Sequence, residues 1–366
     1  MKIIVIGGGP AGMMAAGAAA QQGASVTLLE KNEKLGKKLY ITGKGRCNLT
    51  NDTDVQGLMD NIVTNPRFMH SAFYSMDSQG LMAFIESLGV PLKTERGGRV
   101  FPVSDKANDI NLALEGYLRR VGVKVLLNRE VKKIEPTAET SFTIHTTGTT
   151  HHANAIIIAT GGLSYPSTGS TGDGYSFAKN LGHKLVPTHP SLVPLHAIEP
   201  WIPDLAGLSL KNVKLTARVS NRIIYEELGE MLFTPHGITG PLVLSASAFL
   251  AGKDLQTALI TIDLKPALSP EQLDARLLRD FEEHKNKDFT NALGGLLPQR
   301  LIQTIIELSQ IPLHTKVQQE CDVASGRGDG AVAHRKHATA HLCDVRTFEP
   351  PMVNVYVITI PVGNIA

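Results

Sequence analysis

Residues 1–30 read MKIIVIGGGPAGMMAAGAAAQQGASVTLLE, and this stretch decides the fold. Lys2–Ile6 is a short β-branched run, and residues 7–9 form a tight turn. Residues 10–22 are Ala-rich and predict a helix. Ser25–Leu29 predicts a second apolar strand, which ends in Glu30. Strand, helix and strand within about thirty residues make a βαβ unit. Two apolar strands joined by a helical crossover favour a parallel sheet with a right-handed connection.

The turn carries Gly7-x-Gly9-x-x-Gly12. Gly7 permits the tight turn, Gly9 lets a diphosphate approach the backbone, and Gly12 lets helix and strand pack closely. The helix N-terminus presents free N–H groups and the positive end of its dipole to the phosphates. Glu30 can accept hydrogen bonds from the hydroxyls of an adenosine ribose. A lone GxGxxG pattern is common, but here the preceding strand, the following helix and the terminal acid all fall in place. The acid favours an unphosphorylated ribose, which FAD and NAD share. The position at the start of the chain, followed by a basic loop over residues 31–51, favours FAD. Lys37, Lys38, Lys44 and Arg46 in that loop can complement cofactor phosphates or simply be solvated.

Three further segments carry candidate chemistry. Residues 42–50, TGKGRCNLT, hold Cys47. Neighbouring Arg46 and Lys44 would lower its pKa and make it a candidate redox thiol; the alternative is a small buried residue packed near the isoalloxazine. Residues 155–162, AIIIATGG, form a buried strand that brings bare backbone at Thr160 and Gly161 to a ligand at its carboxyl end. The glycine-rich stretch 169–174 leads into a helix. It reads either as an anion- or flavin-facing loop or as an ordinary helix start capped by Asp173. Residues 96–102 and 233–241 are candidate substrate-side loops. His236 in the second is a candidate proton donor, or a structural histidine.

The wider chain fits a folded enzyme. Its 366 residues are 42% hydrophobic and 19% charged, ordinary for a globular protein. Lys+Arg 36 against Asp+Glu 34 gives a formal charge of +2, which argues against a nucleic-acid partner. Three cysteines without a CxxC pair argue against a disulfide scaffold and a metal site. No uninterrupted apolar run reaches the roughly 18–20 residues of a membrane helix, so a cytoplasmic protein with no membrane partner is expected. Residues 57–120 look mainly helical, interrupted at 96–102. Residues 123–127 predict a strand, and residues 131–135 and Ser141–Thr146 antiparallel strands. Pro187, Pro190 and Pro194 mark a linker. Residues 213–219, 222–226 and 259–264 read as strands of a second, β-rich module, and residues 269–283 and 298–309 as helices, with Ser269-Pro270 a good helix start.

Together IGGGPAGMMAA, LLEKNEKLGKKLYITGKGRCNLTN, RGGRVFP, ATGGLSYPSTGSTGDGY, HPSLVPL and GEMLFTPHGITGPLVLSAS resemble one family. It is the bacterial FAD-dependent, NAD(P)-linked oxidoreductase family of HI-type flavoproteins, including aminoacetone oxidase-like and 3-dehydro-bile acid Δ4,6-reductase-like members. The resemblance implies an α/β fold: a Rossmann-like FAD-binding domain with an inserted β-barrel-like module and a small helical subdomain. The corresponding boundaries are 1–190 for the FAD-binding domain, 191–265 for the β-rich module (with strands continuing after the helices) and 266–316 for the helical subdomain. The same likeness implies FAD contacts from Gly9, Pro10, Ala11, Gly12, Glu30, Lys31, Lys38, Val131, Thr160 and Gly161. It implies a small-molecule substrate, with NADH or NADPH as a transient electron donor. A flavin-dependent RNA-modifying enzyme shares the N-terminal unit and is the alternative class. Family members also return after the insert with a Gly-rich segment that closes the flavin site, and this chain has no such stretch. Its composition changes near residue 318. Residues 317–366 therefore read as an atypical tail of a frameshifted or truncated member, with weakened FAD binding and lowered stability as the expected consequence and a catalytically impaired remnant as an alternative to an active oxidoreductase.

Overall fold

The computed structural model describes residues 1–138, 141–308 and 347–348. Two compact units divide the chain, the first built on Met1–Pro187 and the second on residues from Thr188 onward.

The first unit opens with β1 (Lys2–Ile6), α1 (Pro10–Gln21) and β2 (Ser25–Leu29). Ile3 to Ile6 are all buried, without the alternation of a one-sided strand, as in a parallel sheet covered on both faces. A two-residue strand, β3 (Thr50–Asn51), follows, then α2 (Val55–Asp60), α3 (His70–Ser75), α4 (Ser78–Ser87), β4 (Leu92–Glu95), β5 (Arg99–Pro102), α5 (Ala107–Arg120), β6 (Lys124–Leu126), β7 (Val131–Ala138), β8 (Ser141–Thr146), β9 (Thr150–Ala153), β10 (Ala155–Ile158) and α6 (Asp173–Asn180). The central sheet has the order β10-β1-β2-β6, and every pairing is parallel. Helix α1 lies close to α5, since a Cβ on Gly17 would come within 2.1 Å of the Tyr117 ring. The buried cluster of Val5, Met13, Leu28, Ile110, Leu114 and Leu118 fills that interface.

Two departures from the expected elements have local causes. Residues 92–102 form a hairpin and, with β3, a three-stranded antiparallel sheet of order β3-β5-β4, so the interruption expected at 96–102 begins at Leu92 and is paired strand on both sides of its turn. Gly97 and Gly98 take φ of +80° and +71° at its tip, a turn open to glycine and strained for other residues. The helix α6 is capped by Gly172, not by Asp173, which is its first helical residue.

The second unit contains β11 (Leu195–His196), β12 (Ser209–Val219), β13 (Arg222–Thr234), β14 (Gly237–Thr239), α7 (Pro241–Leu250), β15 (Ala258–Asp263), α8 (Pro270–Glu283), α9 (Phe289–Ala292), α10 (Gln299–Leu308) and β16 (Thr347–Phe348). Its antiparallel sheet has the order β11-β14-β13-β12-β15-β16. The long β12–β13 pair is bent by irregularities between Leu210 and Val213 and between Ala217 and Arg218. One core joins sheet and helices: Leu215, Phe233 and Ile260 share a buried cluster with Val243, Leu277 and Ile305. The predicted start of α8 holds, with Ser269 and Gln272 forming a reciprocal capping box. Most of the tail from residue 317 lies outside the described residues.

Candidate nucleotide site

The first unit carries a cleft of about 300 Å³ at the carboxyl ends of β1, β2 and β10. The glycine turn forms its floor. Gly7 takes φ of +107°, and a Cβ there would sit 2.4 Å from the Ala159 carbonyl oxygen at the end of β10. Gly12 packs the start of α1 onto the turn, its own Cβ position lying 1.8 Å from the Gly7 oxygen. Gly9 differs: nothing lies within 4 Å of a Cβ built on it, so its face looks into the open cleft. No side chain caps α1, and since Pro10 has no N–H, the first donors of the helix are those of Ala11 and Gly12.

Glu30 ends β2 on one wall and is 7% exposed. Its Oε2 accepts from the Gly8 N–H at 2.6 Å, and its Oε1 accepts from the Asn32 N–H at 2.8 Å and Asn32 Nδ2 at 2.7 Å. A carboxylate has about four acceptor positions, so three internal donors leave room for one more. Opposite stand Thr160 and Gly161 at the end of β10 and the loop through Thr168, Gly169 and Ser170 into Asp173. Lys31 bridges the two sides, donating to Thr171 Oγ1 at 2.8 Å and to Asp173 Oδ2 at 2.7 Å. The Asp173 carboxyl ends below its ordinary value: burial pushes it up, but the bonds from Lys31 and Thr171 outweigh that. Lys38 also lines the cleft, donates to Ser164 Oγ at 3.2 Å, and is held below the ordinary lysine pKa by burial.

Of the residues anticipated from sequence, the cleft brings together Gly7, Gly9, Pro10, Ala11, Glu30, Lys31, Lys38, Val131, Thr160 and Gly161. Gly12 stands behind them, shaping the turn. Arg46 is elsewhere. It is bonded to Glu95 and Asp105 and stacked on Phe101, its guanidinium carbon 4.0 Å from the ring centroid. Cys47 is fully buried in the core around α5, at φ of +61°. Burial pushes its thiol pKa up, with a bond to Thr42 only partly opposing. The activation expected from Arg46 and Lys44 is thus absent, because the Arg46 charge is answered by two carboxylates. His236 lies in the second unit, exposed in the turn between β13 and β14, its ring stacked on His196 with centroids 6.0 Å apart. Asn32, Arg129 and Phe177 line the cleft without having been anticipated. For Asn32 a signal existed, an amide two residues after the strand-ending acid. For the other two there was none, since they approach from distant elements.

The strand order and the glycine turn at the end of β1 place the first unit among nucleotide-binding domains of the Rossmann type. Comparison with known proteins narrows this. Residues 1–315 match the family described as HI0933-like protein Rossmann domain, and the chain belongs to that family. It is 32% identical over 317 residues to the 3-dehydro-bile acid delta(4,6)-reductase of Clostridium scindens, covering 85% of this chain and 76% of that one. It is 31% identical over 309 residues to the ribosomal RNA dihydrouridine synthase of Escherichia coli, covering 84% and 74%. Among solved structures, the open conformation of a flavocytochrome c3 fumarate reductase aligns over 84% of this chain and 60% of that chain, at 18% identity and a TM-score of 0.43. No helix among the described residues is long and apolar enough to cross a membrane.

Proposed function

We propose that the chain is a FAD-dependent oxidoreductase, moving hydride between NADH or NADPH, or an organic substrate, and a small-molecule acceptor such as an enone or oxygen. The observation that carries this reading is the open space at Gly9 beneath an uncapped helix start, with Glu30 on the neighbouring strand end. The residues present fit an adenosine dinucleotide. The diphosphate would rest on Gly9, Pro10 and Ala11, and the ribose beside Glu30. Lys31, Lys38, Val131, Thr160 and Gly161 would hold the remainder. FAD, when bound, supplies the hydride chemistry. The chain's own part is to orient it: Gly7 and Gly12 fix the turn, and burial of Lys38 weakens the hydration that would compete for its ammonium.

The names of the relatives support the acceptor class. Saturating a Δ4,6 alkene of a 3-dehydro steroid and saturating uridine both reduce a C=C bond conjugated to a carbonyl. The electron demand is alike: hydride to an electron-poor carbon of the conjugated alkene, β or δ to the carbonyl, and a proton to the adjacent carbon nearer the carbonyl. A second reading, an RNA-modifying enzyme, is favoured by the ribosomal RNA dihydrouridine synthases among the relatives. The largely exposed Phe68 and Tyr74 add to it, since unpaired bases stack on such rings.

One spectrum followed by an anaerobic titration tests both. A flavin band near about 450 nm that NADH or NADPH bleaches, and that a cyclic enone restores, is the expected result. A band restored only by a uridine-containing RNA would replace the first reading with the second. A chain that neither carries nor takes up flavin would be the impaired remnant.

A further inference from the structure

The end of β2 and the loop before α6 are about 140 residues apart in sequence, yet three hydrogen bonds fasten them together across the cleft. Lys31 Nζ donates to Thr171 Oγ1 at 2.8 Å and to Asp173 Oδ2 at 2.7 Å. Asn32 Nδ2 donates to the Thr168 carbonyl at 3.2 Å. The Thr171 hydroxyl in turn donates to Asp173 Oδ1 at 2.8 Å, so both oxygens of that carboxylate are engaged. Lys31 directly follows Glu30, the position from which a basic side chain meets the extra phosphate of a 2′-phosphorylated ribose. Here that ammonium, though it lines the cleft, is paired with Asp173, while the Glu30 carboxylate lines the same cleft and is held by the Gly8 and Asn32 donors.

We propose that Asp173, by holding Lys31, is the specificity-determining residue that makes this cleft take adenosine dinucleotides with a free 2′-hydroxyl and reject 2′-phosphorylated ones. The inference rests on the nucleotide reading of the cleft. Two carboxylates, Glu30 and Asp173, line the cleft, and the cation next to Glu30 in the chain is already paired. Of the other cations on the rim, Lys37 bonds to Asn32 Oδ1 at 3.3 Å and Glu33 Oε2 at 3.1 Å, and Arg129 Nη1 donates to the Asn128 carbonyl at 3.1 Å. In this way the site would stay clear of NADPH while admitting FAD, even when NADPH is the electron donor.

The test is the binding of two probes, ADP-ribose and 2′-phospho-ADP-ribose, to the purified full chain by calorimetry. The unaltered chain is expected to prefer ADP-ribose. Asp173→Ala should free Lys31 and raise the affinity for 2′-phospho-ADP-ribose relative to ADP-ribose by about tenfold. Asp173→Asn, which keeps the shape, should give a smaller change of the same sign. Lys31→Met added to Asp173→Ala should abolish the gain. A gain that survives in the double variant would mean that another cation, such as Arg129, reads the phosphate, and would overturn the assignment. So would an equal loss of both probes in Asp173→Ala and Asp173→Asn, which would make the pair a structural tie. If the unaltered chain binds no ADP-ribose, the nucleotide reading itself falls and this inference with it. Retained ADP-ribose binding with unchanged selectivity sinks only the inference.

Discussion

Gly9 and Gly12 belong to one motif, yet their replacement by alanine should fail in different ways. A Cβ on Gly12 would lie 1.8 Å from the Gly7 oxygen, and a real Cβ keeps at least 3.0 Å, so turn or helix must give by about 1.2 Å. The obstructing atom is backbone, and Gly7 is itself pinned by its N–H bond to the Leu29 carbonyl at 2.8 Å. Overpacking of this kind costs about 1–3 kcal/mol. Alanine's better helix propensity returns up to about 1 kcal/mol, so Gly12→Ala should lose about 1–2 kcal/mol. At Gly9 the same methyl meets nothing, and φ is −75°, which alanine adopts freely. Its effect on folding should stay within about 1 kcal/mol, while the methyl occupies the space a diphosphate needs. Urea unfolding read by circular dichroism measures the first effect, and fluorescence titration with FAD the second. Gly9→Ala should unfold near the parent midpoint and lose FAD affinity by at least about tenfold. Gly12→Ala should lose on both counts. A Gly9→Ala chain as destabilised as Gly12→Ala, or one that still binds FAD at parental strength, would refute the assignment of Gly9 as the bare contact surface.

Three further outcomes are expected. Glu199 is buried, and burial raises its pKa against the weaker opposing pull of the Glu199 and Ile198 backbone N–H groups. The folded state therefore holds that proton more tightly than the unfolded state, and stability falls as pH rises through the interval between the two values. Glu199→Gln should accordingly stabilise the protein by about 1–3 kcal/mol at neutral pH, with the gain vanishing near pH 4, as thermal melts across that range would show. Around Arg46 the sign is reversed. The Arg46 bond holds Glu95 below the usual carboxylate range, and bonds from Lys93 and Arg46 do the same for Asp105. The stabilisation from this network is present at neutral pH and lost on acidification through the lowered values. Melts of Arg46→Gln should differ from the parent most at neutral pH and converge in acid. Finally, the buried Cys47 thiol should alkylate slowly with iodoacetamide at pH 8 in the folded chain and quickly in denaturant, followed on its own peptide by mass spectrometry. Fast native labelling would restore it as a reactive thiol.

The βαβ unit was legible because every decisive feature is local: a β-branched run, glycines at fixed offsets, an Ala-rich helix and an acid where the second strand ends. The AIIIATGG strand was legible for the same reason, and β10 indeed pairs with β1 over Ala155–Ile158. What escaped were partnerships over distance. Arg46 looked like a phosphate ligand because Glu95 and Asp105, which occupy it, lie 49 and 59 residues away. Its influence on Cys47 was misjudged for the same reason. The three-stranded sheet of β3, β5 and β4 was hidden because its strands are two to four residues long and their pairing depends on a Gly-Gly turn. Glu30 was placed correctly, but its internal donors were not foreseen, since a strand-ending acid does not reveal which neighbouring N–H groups will reach it.

The order of strands in the central sheet has a consequence for biosynthesis. β1 pairs on one side with β2, made almost at once, but on the other with β10, and Lys2 N–H meets the Asn154 side chain 152 residues later. Until that distant strand leaves the ribosome, the nascent βαβ unit carries an open, wholly apolar edge, the kind of template on which chains aggregate. Completing the edge is a long-range closure, slow by its entropy. Because the Thr160–Asp173 wall follows directly behind β10, the dinucleotide corner and the protection of that edge arrive together.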